Sequence, residues 1–269
     1  MFNIIRASLF KLFKDWTFRI TMIVGLGLVA LLIGINVGIS NIHGEGMFLS
    51  GSSPSSNFGL TVPINLVVFT VSEFTFGTIR NKIIAGHSKF KIYTCLFLTG
   101  LVFTFTLMIT FLGLLVGISS AIGGFHGDMD LTGRFVGCYI AYFFATYIFI
   151  TSLSVFFGTL MRNIGGSISI AVVTLVVLGM IPLIITLATA KDSSFNPATI
   201  QMWINPLYMI GFYSNSASLL GFLNKLGVPT AEIYYQTTQM IIAGILTPIY
   251  WAGIFFAGGA FLFTHRDIK

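Results

Sequence analysis

Six apolar runs dominate the chain, at residues 20–39, 58–76, 93–118, 135–160, 168–190 and 240–263. Each is close to or beyond the roughly 20 residues a helix needs to cross a hydrocarbon core of about 30 Å. Hydrocarbon offers no partner to a backbone N–H or C=O, so such runs have to pair their own backbone, as helices do. Composition agrees: 55% of the residues are hydrophobic and 8% charged, where soluble domains carry about 25% charged residues. The chain is expected to be an all-α integral membrane protein, with residues 1–269 forming a single transmembrane domain of six transmembrane helices.

The segments between the runs refine this picture. Residues 2–16 read as an amphipathic helix, with Phe2, Ile5, Leu9, Leu12, Phe13 and Trp16 on one side and Arg6, Lys11, Lys14 and Asp15 on the other. Such a segment lies in the membrane interface; a signal peptide would have a shorter apolar core and a small-residue cleavage site. Residues 191–239 are too mixed for a plain loop. Apolar stretches at 200–212 and 217–226 are punctuated by Asn205-Pro206 and Pro229, which suits an extracellular or re-entrant segment of short helices.

Charge placement sets the orientation. Of the 14 basic residues, only Arg134, Lys191 and Lys225 fall outside if the N-terminus is inside. Arg6, Lys11, Lys14, Arg19, Arg80, Lys82, Lys89, Lys91, Arg162, Arg266 and Lys269 then all face the cytoplasm, as the positive-inside bias demands. Both termini are expected there, in a multi-pass protein of the cytoplasmic membrane. The net charge of +6 therefore reports topology rather than nucleic-acid binding.

Several chemistries are excluded. No Gly-Lys dipeptide occurs, so the chain has no phosphate-binding P-loop, and no His-Glu-x-x-His zinc site is present. His43, His87, His126 and His265 lie in loops or tails without ligand spacing. Cys95 and Cys138 begin spans that run in opposite directions, too far apart for a disulfide. No catalytic site and no cofactor or metal site of its own are expected.

The stretch Glu73-Phe-Thr-Phe-Gly77-Thr-Ile-Arg80-Asn-Lys82, continuing through Gly86-His87-Ser-Lys89-Phe-Lys91, ends the second run. On an unbroken helix positions 73, 77 and 80 share a face, and Arg80 lies about 10 Å beyond Glu73. A carboxylate inside a span is costly, and function is its default explanation. Two readings stay open: an ion pair with Arg80 or with a basic residue of the interfacial helix, or a coupling or gating residue. A proton relay would need further ionisable groups in the spans, and there are none. Pro182 in the fifth run either kinks a moving helix or is accommodated by its neighbours. Gly34–Gly38 and Gly113–Gly117 have the small-xxx-small spacing of close helix contacts.

The amphipathic N-terminal helix, the six spans with both ends inside, the Glu-x-x-x-Gly-Thr-Ile-Arg-Asn-Lys motif and the closing Phe263-Thr-His-Arg-Asp-Ile-Lys together resemble an ABC-2 type transporter permease, with a type V exporter-like fold. The resemblance covers the full length and implies a separate ATPase subunit, which carries the ATP and Mg. It also implies a second copy of the permease, as a homodimer, with residues 80–91 as the cytoplasmic coupling region. Arg80, Asn81, Lys82, Gly86, His87 and Lys89 would then meet the ATPase, and Arg162 would make a smaller second contact. Glu73 and Gly77 would be coupling or structural residues within the membrane. Positive-inside topology alone also accounts for a basic loop. The implied function is export of hydrophobic or amphipathic peptides, such as toxins and bacteriocins; size and hydrophobic character are what suggest this cargo. The alternatives are an ATP-independent secondary transporter or channel, an ABC exporter of drugs or lipids, and an immunity role that extracts a peptide from the membrane.

Overall fold

The computed structural model describes residues 2–14, 16, 18–20, 23–24, 27, 31, 58–122, 133–161, 163–189, 202–208 and 238–266. Most of the expected first span, and of the 191–239 segment, lies outside these. The described elements are all helical: α1 (Phe2–Lys14), α2 (Phe58–Thr75), α3 (Thr78–Ile84), α4 (Lys89–Ile122), α5 (Gly133–Met161), α6 (Ile164–Thr189) and α7 (Thr238–His265). Four of them, α4 to α7, are long and apolar enough to cross a membrane. The count is five if α2 and α3, bent by 56° at their junction, form one broken span. The runs expected at 58–76, 93–118, 135–160, 168–190 and 240–263 thus correspond to α2 and α4–α7; α4, α5 and α7 extend past both ends of their runs, α6 starts four residues earlier, and α2 ends one residue short.

Helix α5 is the hub, packing against α2, α4, α6 and α7. Its inward side chains include Tyr142, Phe143, Tyr147, Phe149, Leu153 and Val155. Apolar burial cannot by itself order helices within lipid, so close fit and hydrogen bonds carry the specificity. Thr104 on α4 and Thr151 on α5 share a hydrogen bond of 2.9 Å, and Ser152 donates to the Ala252 carbonyl of α7 at 2.8 Å. Two glycines on α7 allow the tightest approaches. A Cβ at Gly244 would lie 2.5 Å from the Tyr142 ring, and one at Gly259 would lie 2.0 Å from the Tyr93 hydroxyl. At Gly113 or Gly117 an added Cβ would meet no atom within 4 Å, so that spacing is not used for packing among the described residues; Gly34–Gly38 lies outside them.

Helix α1 rests on α4 and divides its side chains. Ser8 and Leu12 are buried, whereas Phe10, Phe13 and Trp16 are exposed. The apolar face read from the sequence is therefore split between the bundle and the surroundings.

Residues 202–208, a helical turn at 202–204 followed by a turn at 205–207, lie against α6 and α7. Thr247 donates to the Met202 carbonyl at 2.9 Å, and the Trp251 indole donates to the Ile204 carbonyl at 2.8 Å. The Asn205 side chain closes its own turn by accepting from the Leu207 N–H at 2.9 Å. Its amide also donates to the Leu178 carbonyl at 2.7 Å. That carbonyl stands four residues before Pro182, which has no N–H to return to it. Asn205 thus supplies the hydrogen bond that proline withholds, and Pro182 is accommodated by a neighbouring segment. Leu178 lies about 21 Å along α6 from its start. Asn205 and Met202 are both buried.

Replacing Asn205 by Ala should lower unfolding stability in detergent by about 1 kcal/mol, the cost of one unmade buried hydrogen bond. In a Pro182→Ala background, where the helix regains its own N–H, the same substitution should cost clearly less. Equal costs in the two backgrounds, measured as a double-mutant cycle by thermal melting, would show that Asn205 does not serve the proline gap.

Candidate functional site

The site forms where α2 stops. The Phe76 N–H still reaches the Ser72 carbonyl, but Gly77 turns to φ +65° and donates to the Phe74 carbonyl at 3.0 Å. A left-handed residue costs glycine nothing and other residues about 1 kcal/mol or more, so Gly77 both ends α2 and starts α3. Helix α3 ends in the same manner at Gly86, φ +83°. The His87 N–H bonds the Lys82 carbonyl, and the Gly86 N–H bonds the Ile83 carbonyl. This six-to-one and five-to-two pair is a Schellman closure. Gly77 and Gly86 therefore define a seven-residue helix as a discrete element set across the end of α2.

Because the chain bends here, positions 73, 77 and 80 do not share a helix face, and Arg80 does not meet Glu73. Arg80 is exposed. The partner on this side is Lys82, whose Nζ lies 2.7 Å from Glu73 Oε2. The other oxygen, Oε1, takes Lys11 Nζ of α1 at 2.7 Å. Of the two ion pairs considered from sequence, the pairing with the N-terminal helix is the one present, joined by a second lysine that the face argument overlooked. Lys82 Nζ also approaches Ser8 Oγ at 3.3 Å, and the Lys11 ammonium stands 5.4 Å from the centre of the Phe76 ring.

Burial orders the strengths of these contacts. The Glu73 side chain is 1% exposed, Lys82 15% and Lys11 38%. A desolvated carboxylate persists only when its lone pairs are matched, and here each oxygen holds one ammonium. The Lys82 contact is largely desolvated, while that of Lys11 is partly screened by solvent. One negative and two positive charges leave an excess of +1. The triad ties α1, α2 and α3 together, and Ile79 is buried beneath α3.

The remaining residues of the expected coupling region separate into two groups. Arg80, Asn81, Gly86 and Lys91 are exposed and His87 is half-buried. Lys89 is turned inward, its Nζ donating to the Thr264 carbonyl at 3.2 Å and the Arg266 carbonyl at 2.9 Å at the end of α7. The Arg266 guanidinium in turn donates to the Leu160 carbonyl near the end of α5. Both cations sit at helix C-termini, where unpaired carbonyls and the helix dipole favour them. Arg162 lies outside the described residues; beside it, Asn163 Oδ1 accepts from the Gly165 N–H at 3.2 Å at the start of α6.

Sequence reasoning missed Lys82 as the second partner of Glu73, the contact of Ser8 with it, and the inward use of Lys89 and Arg266. The helical spacing of Ser8 and Leu12, facing the bundle, was the available signal for the Ser8 contact. Among the described residues no group of three or more His, Cys, Asp or Glu is placed to hold a metal ion. Cys95 is buried and free, and the Cys138 side chain lies outside the described residues.

Glu73→Gln should cost about 3 kcal/mol, because it leaves Lys82 buried without its counter-charge. Lys11→Ala should cost less than about 1 kcal/mol, and Arg80→Ala should stay within about 0.5 kcal/mol. Thermal melts of the purified variants would check this order; an Arg80 variant as unstable as Glu73→Gln would contradict the pairing.

No protein-family model matches this chain, and no curated protein matches it.

Proposed function

We propose that the chain is the permease subunit of an ATP-driven exporter in a bacterial cytoplasmic membrane. The observation that carries this reading is α3: a short helix, braced by a buried ion triad, that presents exposed Arg80, Asn81 and Ile84 beside exposed Lys91. Lipid anchoring needs no such bracing. A rigid cationic projection with an apolar tip suits a protein partner, since electrostatic complementarity steers docking and a buried apolar anchor holds it. The partner is a separate ATPase subunit that carries the ATP and Mg. The positive-inside bias puts α3 and both termini on the cytoplasmic side, and residues 202–208 toward the outer face.

In this reading, closure of the ATPases pushes on α3, and the Glu73 triad passes the displacement to α1 and α2 together. Gly77 is the natural pivot. Permeases work here as a homodimer, and the cargo is a hydrophobic or amphipathic peptide moving outward.

Purification of the chain from its native membrane in gentle detergent should recover an ATPase in fixed stoichiometry. Joint Arg80→Glu and Ile84→Asp substitution should reduce that recovery on the order of tenfold or more, with the bundle's melting unchanged. An intact permease without any ATPase, under conditions that preserve a known complex, would shift the assignment to an ATP-independent transporter or channel.

A further inference from the structure

We propose that a groove between the C-terminal ends of α5 and α7 holds one anionic phospholipid as a structural ligand. The groove is about 480 Å³, within the range of small-molecule sites. Phe156, Leu160, Leu262 and Phe263 give it apolar walls, while His265 and Arg266 stand at one end. Apolar walls below, with a guanidinium and an imidazole at the lip, call for a ligand with both an acyl chain and an anion.

The polar groups at the lip have capacity to spare. Arg266 gives one N–H to the Leu160 carbonyl, and its other guanidinium donors have no acceptor among the described residues. His265 Nδ1 is engaged with the Phe261 carbonyl at 2.9 Å, so Nε2 is the ring nitrogen left for an outside partner. No carboxylate lines the groove among the described residues. Guanidinium forks match phosphate oxygens in two-point contacts, and basic pockets between membrane helices are suited to anionic headgroups.

A second observation lies behind the wall. Tyr93 is fully buried, its hydroxyl has no hydrogen-bond partner among the described residues, and it abuts Gly259, which lines the groove. A buried donor without an acceptor is costly, and this one stands directly against a residue of the groove's wall. The groove also runs along the seam that Arg266 closes, so an occupant would hold the ends of α5 and α7 together. This inference requires the chain to sit in a bilayer but nothing about an ATPase or a cargo, so it fails or stands separately from the export reading.

The test is native mass spectrometry of the full-length chain released from nanodiscs of phosphatidylcholine containing a minority of phosphatidylglycerol. Phosphatidylglycerol should be retained selectively. Leu262→Trp, which fills the groove without touching a charge, and Arg266→Gln should each reduce that selectivity on the order of tenfold. Since Arg266 also caps α5, Leu262→Trp decides the matter if Arg266→Gln fails to fold. Equal retention of both lipids, or selectivity unchanged in Leu262→Trp, would overturn the proposal. Displacement of the lipid by an added amphipathic peptide at matched occupancy would overturn it too, by making the groove a cargo site.

Discussion

A carboxylate that is 1% exposed, at the end of an apolar helix, is costly to bury unless it is matched, and Glu73 has Lys11 on one oxygen and Lys82 on the other. Removing an ion from water costs several kcal/mol even after the protein relaxes. Glu73 therefore constrains every element that supplies a partner. Helix α1 must lie where Lys11 and Ser8 can reach, and α3 must turn back far enough to bring in Lys82. The turn in turn requires a residue content with φ +65°, which is Gly77. One buried charge thus couples the placement of three helices.

The same demand for satisfied polar groups organises the rest of the described bundle. Pro182 leaves the Leu178 carbonyl without its helical partner, and Asn205 fills the gap from a separate segment. The ends of α5 and α7 leave carbonyls open, and Arg266 and Lys89 cover them. In a medium of low dielectric an unmade hydrogen bond is expensive. Side chains on distant parts of the chain are therefore recruited to repair local backbone, and each repair fixes a tertiary contact.

The basic residues consequently fall into two groups. Lys11, Lys82, Lys89 and Arg266 each make a contact within the chain, to a carboxylate or to a helix end. Arg80 and Lys91, like Arg6, Lys14 and Arg19, are exposed. Charge bias reports which end of the bundle all of them occupy but not which of them face outward, because that depends on where the chain bends.

The sequence by itself determined the material and the coarse architecture. Apolar runs of about 20 residues, with few charges, specify helices able to cross a bilayer, since hydrocarbon forces backbone pairing to be local. It also marked the second run's end as special and offered the N-terminal helix as a source for Glu73's partner. What it could not supply was the break in helical phase at Gly77. With the helix continued in phase, Arg80 is the apparent partner; with a 56° bend it is Lys82. The pairing of Asn205 with the carbonyl freed by Pro182, 27 residues apart, was equally invisible. Helical periodicity relates residues within one turn or two, whereas these contacts depend on how separate segments dock, and only the tertiary structure decides that.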